Sequence, residues 1–165
     1  MKLKAIILTL TIVCITQIST SLKAQSTTHT LLNIGYAYQN QSFADVGLKF
    51  LFLKNDDVLY RVGASALMGS TNNDFAIMPK LQADILLNFQ KDVDLFHSHY
   101  FLIGAEATSK YIAPKVGVSL LGIIDLTAGY GFGFSGQDLN GKSLKGFNLN
   151  FGINLPFVMI NDFLK

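Results

Sequence analysis

The sequence predicts an all-β fold: a closed antiparallel eight-stranded up-and-down barrel that crosses a membrane with its strands. Three observations carry this expectation. Half of the 165 residues are hydrophobic, only 15% are charged and the mean hydropathy is +0.36; ordinary soluble domains carry about 25% charged residues. Beyond the N-terminal segment no apolar run approaches the ~20 residues that a spanning helix needs. The hydrophobicity is spread instead over eight stretches that alternate apolar and polar with period two. A chain this apolar is not disordered, and its length suits one domain with a substantial core.

The N-terminal segment comes first. Lys2 and Lys4 form a basic start, and positions 5–15 are apolar apart from Thr9 and Thr11. A polar stretch then leads to Leu22, Lys23, Ala24 and Gln25. This is the layout of a cleavable secretory signal over residues 1–24, cut after Ala24, with the barrel domain over 25–165. Cys14, the single cysteine, lies inside the signal and follows Val13, which does not suit a lipoprotein cleavage box. The processed chain would therefore have no thiol chemistry and no disulfide. Lys2, Lys4 and Lys23 leave with the signal, so 10 basic residues face 11 acidic ones. No basic tract remains to suggest a nucleic-acid partner.

The strands follow in order. In the first, Leu32, Ile34, Tyr36 and Tyr38 share a face opposite Asn33, Gly35, Ala37 and Gln39. In the second, Val46, Leu48, Phe50 and Phe52 oppose Asp45, Gly47 and Lys49. The third sets Tyr60, Val62, Ala64, Ala66 and Met68 against Arg61, Gly63, Ser65 and Gly69. In the fourth, Phe75, Ile77, Leu81, Ala83, Ile85, Leu87 and Phe89 oppose Lys80, Gln82, Asp84 and Asn88. The fifth carries Phe101, Ile103, Ala105 and Ala107 against Gly104, Glu106 and Thr108. The sixth carries Ile112, Val116, Val118 and Leu120 against Lys115, Gly117 and Ser119. In the seventh, Ile124, Leu126, Tyr130, Phe132 and Phe134 oppose Asp125, Thr127, Gly129, Gly131 and Gly133. The eighth alternates throughout: Phe147, Leu149, Phe151, Ile153, Leu155 and Phe157 oppose Asn148, Asn150, Gly152 and Asn154.

The polar face decides which way round the sheet is turned. In a soluble sandwich or barrel it would meet water and be dense in Lys, Glu and Asp. Here it is mostly Gly, Ala, Ser and Asn, with eight charges balanced in sign: Asp45, Lys49, Arg61, Lys80, Asp84, Glu106, Lys115 and Asp125. Small residues and a neutral charge set suit the narrow inside of an eight-stranded barrel. The apolar face then meets lipid, where no water satisfies a sheet edge and the sheet must close. Aromatics near the strand ends, Tyr38, Phe75, Tyr111 and Phe134 at one rim and Tyr60, Phe89, Phe101 and Phe157 at the other, read as two interfacial girdles.

In pattern the chain resembles the small outer-membrane β-barrels of Gram-negative bacteria, of the OmpA, OmpX and OmpW kind, over nearly the whole processed length. The resemblance implies residence in the outer membrane, contact with its lipid and both termini in the periplasm. The last strand, with Phe147, Leu149, Phe151, Ile153, Leu155 and Phe157, resembles the terminal signal read by the barrel-assembly machinery, although residues 158–165 follow it. In that orientation the outer loops, near 40–42, 70–74, 109–110 and 136–143, are short, and the longest inner connection is 90–98.

Candidate sites are few. With a turn over Thr71, Asn72, Asn73 and Asp74 that pairs Ser70 with Phe75, Arg61 falls opposite Asp84. The turn at Ser109 and Lys110 brings Glu106 beside or diagonal to Lys115, with Lys80 on the next strand. Buried charges are tolerated only when paired, so a network plugging the barrel is the leading reading; a proton or ion path along it is the functional one. His97 and His99, two apart with Asp92 and Asp94 nearby, are the weak metal candidates, and a polar turn at the rim is their ordinary reading. His29 belongs to the same end. The glycines at 129, 131 and 133 keep period two and precede no helix, so they are lumen space rather than a nucleotide loop. No Ser–His–acid arrangement suggests an enzyme, and no cofactor is expected. Pro79 and Pro114 lie on the apolar face of strands four and six. Such prolines mark bulges, or loosen the wall near Glu106 for lateral entry of an apolar ligand.

The expected role is structural: envelope integrity or surface contact by a monomeric outer-membrane barrel. A narrow channel or apolar-ligand conduit is the alternative. A soluble periplasmic barrel holding an apolar ligand is the third reading, and it requires the faces to be exchanged.

Overall fold

The structure, a computed structural model, describes residues 27–55, 58–72, 74–89, 99–136 and 138–158. The expected signal with Cys14, the 90–98 connection with His97, and residues 159–165 lie outside the described residues. Eight strands run in chain order: β1 (Thr27–Gln39), β2 (Ser42–Asn55), β3 (Val58–Thr71), β4 (Asp74–Asn88), β5 (His99–Thr108), β6 (Tyr111–Leu120), β7 (Ile124–Gly133) and β8 (Gly146–Pro156). Each pairs antiparallel with the next, and β8 returns to β1, with Ile34 opposite both Val46 and Ile153. The barrel is closed and up-and-down, so no strand is left as a sheet edge along its full length.

The strands form where β-branched and aromatic residues alternate with small or polar ones, and the alternation sets which way each side chain points. The outward face is apolar and exposed: Phe75 is 70% accessible, Leu81 65% and Phe147 54%. The inward face holds the charges, and Arg61 is 1% accessible. A barrel in water distributes its residues the other way round.

The lumen is layered. At the end bearing the β1–β2, β3–β4, β5–β6 and β7–β8 connections, Ala37, Phe43, Leu67, Ala76, Met78, Tyr111 and Ala113 form an apolar layer, completed by Leu139 and Leu144 of the β7–β8 loop. The charges fill the middle. At the opposite end Leu31, Leu51, Leu59, Leu86 and Tyr100 form a second apolar layer, against which Leu53 packs. These two layers depart from the expectation of a uniformly small and polar inner face.

Two further expectations are corrected. Tyr111 does not join an outward girdle: it is fully buried and inward, because it shares strand parity with Ala113 and Lys115. Tyr38, Phe75, Phe134, Tyr60, Phe89 and Phe157 do point outward, and Phe101 is half-buried edge-on to Phe89 at 6.3 Å. Nor do bulges mark Pro79 and Pro114. Pro79 stays in register opposite Ala66 and Pro114 opposite Ala105; the register shift in the described ladders lies between Leu53 and Asn55.

Candidate functional site

The charged middle of the lumen is assembled by register. Ser70 lies opposite Phe75, which puts Arg61 of β3 opposite Asp84 of β4. Arg61 donates from Nε (3.2 Å) and Nη2 (3.1 Å) to Asp84 Oδ2, and from Nη1 (3.2 Å) to Asp125 Oδ1. Its Nη2 also lies 2.8 Å from Asp125 Oδ2. Asp125, on β7, further accepts from Lys49 Nζ of β2 at 3.0 Å and from Asn154 Nδ2 of β8 at 2.8 Å. The guanidinium thus reaches across the barrel, and its planar fork serves two carboxylates at once.

On the other side, Gly104 faces Lys115 and Ala113 faces Glu106, so Glu106 is diagonal to Lys115. Lys115 Nζ is 3.5 Å from Glu106 Oε2 and 3.5 Å from Asp84 Oδ1. Lys80 Nζ lies 3.8 Å from Glu106 Oε2 and pairs closely with Asp45. The eight charges therefore form one chain of alternating sign: Asp45, Lys80, Glu106, Lys115, Asp84, Arg61, Asp125, Lys49. Every member is at most 5% accessible. Charges removed from water this completely are tolerated only with such partners.

Strands β2 to β7 supply the charges; β8 and β1 supply neutral amides and a few hydrogen bonds. Glu106 accepts from Tyr111 Oη (2.9 Å), Asn148 Nδ2 (2.9 Å) and Asn150 Nδ2 (3.2 Å). Asn148 Nδ2 also donates to Gln39 Oε1 at 2.8 Å, and Gln82 Nε2 donates to Asp84 Oδ2 at 3.0 Å. The sequence reading did not single out Tyr111, Gln39, Gln82 or Asn154 as members. Their signal is their inward parity, which Tyr111 shares with Lys115.

Glycine makes the packing possible at several points, of which Gly104 touches the charge network. A Cβ on Gly104 would stand 2.3 Å from Asp84 Oδ1 and 2.6 Å from the Ala83 carbonyl oxygen. What remains open at the centre is a void of about 10 Å³ bordered by Asn33, Asp45, Lys49, Arg61, Lys80 and Asp125, among others. This is about the space of a single water, so the lumen is a filled interior of the kind eight strands allow.

The two prolines sit beside local gaps in the wall. The β4–β5 ladder ends with Lys80 opposite Thr108, so among the described residues β4 from Asp74 to Pro79 rises past β5 without a ladder partner on that side. The β6–β7 ladder passes from Ile112–Phe132 to Lys115–Gly129, leaving Ala113 and Pro114 outside it. On the outer surface here Leu81, Ala83, Ala105, Ala107 and Ile112 border a shallow groove of about 260 Å³. His99 is half-buried at the start of β5, and among the described residues no three His, Cys, Asp or Glu side chains cluster to hold a metal. The terminal-strand residues Phe147, Leu149, Phe151, Ile153 and Leu155 share the outward face of β8, with Leu149 and Leu155 half-buried, whereas Phe157 lies just beyond the end of β8 and is exposed. No family model, curated protein or solved structure matches the chain.

Proposed function

We propose that the protein is a monomeric integral barrel of a Gram-negative outer membrane, with a structural role in envelope integrity or surface contact. One observation carries this reading: the wall presents its large apolar side chains outward while all eight lumen charges are buried and paired. Lipid is the environment in which that distribution is stable, and a closed sheet is the form lipid demands. On this reading the bilayer lipid is the barrel's partner along its wall. The assembly machinery is its partner during insertion, through β8, and residues 1–24 direct export. The role is non-catalytic and needs no cofactor. The ion-paired lumen weighs against a soluble barrel holding an apolar ligand.

The test is gel mobility of the detergent-extracted protein with and without boiling, combined with membrane fractionation. A heat-dependent shift and recovery with the outer membrane are expected; a soluble periplasmic protein without a shift would overturn the reading.

A second reading, an apolar-ligand conduit with lateral access, is favoured by the unpartnered β4 segment at Pro79 and the break at Pro114. A Pro79→Val, Pro114→Val variant with unaltered stability and ligand uptake would remove it.

A further inference from the structure

The alternating chain of lumen charges has two ends, and both stand on β2. Asp45 is one end and Lys49 the other, on the same inward face with Gly47 between them. Asn33 of β1 lies opposite Gly47, which places it between the two charges. Beyond the seam where β8 returns to β1, Thr127 of β7 lies opposite Asn150 of β8. These residues border the central void of about 10 Å³.

Four buried polar atoms of that border have no hydrogen-bond partner among the described residues: Asn33 Nδ2, Asp45 Oδ1, Thr127 Oγ1 and Asn150 Oδ1. Their residues are at most 9% accessible, so bulk solvent does not serve them. The Asn150 amide is held in its orientation, because Nδ2 donates to Glu106 Oε2 at 3.2 Å and to Asn148 Oδ1 at 2.8 Å and leaves the oxygen over. Buried polar atoms without partners are costly, and four of them around one void call for a ligand that satisfies them together.

Their chemistry selects the ligand. Asn33 offers a donor, Asp45 and Asn150 offer acceptors, and the Thr127 hydroxyl can donate. An anion has no use for two acceptors and is repelled by Asp45. A bare cation meets an amide N–H, with Lys49, Arg61 and Lys80 also on the border. Water brings two donors and two acceptors, one for each of the four atoms, and the void is of its size.

We propose that the void is a binding site for one water molecule, which donates to Asp45 Oδ1 and Asn150 Oδ1 and accepts from Asn33 Nδ2 and the Thr127 hydroxyl. Bound there, it ties β1 and β2 to β7 and β8 across the seam that closes the barrel. The proposal rests on the geometry of the lumen and not on the membrane reading. Gly152 gives the handle on it. This glycine borders the void, and a Cβ there would stand 3.0 Å from Asn33 Oδ1 and 3.9 Å from Lys49 Nζ, with no main chain beyond its own neighbours within 4 Å. Gly152→Ala therefore puts a methyl group where the water would sit.

The test is a rotating-frame Overhauser measurement at the water resonance, on purified ¹⁵N-labelled protein in detergent micelles. A cross-peak of dipolar rather than exchange sign is expected at the Asn33 side-chain amide. Thr127→Val removes the one hydroxyl bordering the void among the described residues, and with it any relay through hydroxyl exchange. Three partners remain in that variant, so the peak should persist there, and it should disappear in Gly152→Ala. No peak in the native protein, loss in Thr127→Val or persistence in Gly152→Ala overturns the proposal. Exchanging sodium chloride for choline chloride or for sodium gluconate should leave the Asn33 amide shift unchanged; a shift that follows sodium or chloride makes that ion the ligand and overturns water. Gly152→Ala should also lower the thermal midpoint, since a methyl group satisfies none of the four atoms. A raised midpoint would mean that the methyl fills a dry void, and it would overturn the proposal. The native spectrum carries the test even where a variant fails to fold.

Discussion

Arg61 is the residue on which the lumen depends most, since its guanidinium is shared between Asp84 and Asp125 and is almost wholly buried. Removing it strands both carboxylates without their main partner. Arg61→Ala should therefore cost about 3–5 kcal/mol in equilibrium urea unfolding, and a conservative Arg61→Lys should recover only part because an ammonium cannot serve both acids through a planar fork. Tyr111 is a smaller case of the same dependence. Tyr111→Phe removes one of three hydrogen bonds to Glu106 and should cost about 1.5–3 kcal/mol. Equal stability of Tyr111→Phe and the native chain would mean that Glu106 does not need that hydroxyl.

At the scale of the element, close approach and closure dominate. β5 passes β4 at Gly104 with no room for a side chain beside Asp84 and the Ala83 carbonyl. Gly104→Ala must displace main chain as well as a carboxylate, and a loss of about 1–3 kcal/mol is expected, read as a lowered thermal midpoint. β8 bears a different load, since Ile153 is laddered to Ile34 on one side and Ile124 on the other. A proline there removes a ladder donor from a strand with neighbours on both sides. Ile153→Pro should abolish the heat-dependent gel shift expected of the native barrel. Pro79 is tolerated in β4 under easier conditions, because β5 does not extend alongside it.

For the whole molecule the lumen charges sum to zero, and an apolar layer separates them from each end. A filled interior of this kind leaves no open path along the barrel axis. Purified protein in a planar bilayer is expected to give no defined conductance steps; steps that disappear in Arg61→Ala would establish a channel through the network. Much of this molecule is legible before folding is considered. Alternation marks all eight strands, and a short turn after Thr71 is enough to place Arg61 against Asp84. The end layers are not legible, because apolar residues there fall on both faces, as at Leu31 and Leu32, Leu51 and Phe52, or Leu86 and Leu87. Where both parities are apolar the period-two signal vanishes and neither face can be named. Tyr111 departs from the outward face expected of it because its position at a strand end resembles a girdle aromatic, while parity with Lys115 sends it inward.

What the sequence determined by itself is the set of strands, their order and the face that residues of the strand centres take, since these follow from local periodicity and short turns. Only the tertiary structure decided how the eight charges join. Lys49, Arg61 and Asp125 meet across the closed barrel rather than along one hairpin, and the diameter and register that bring them together exist only once β8 has returned to β1. It likewise decided that Leu139 and Leu144, in a loop with no strand periodicity, complete the apolar layer at the mouth. The hydrophobic effect draws those two side chains inward because the strands present an apolar layer beneath them.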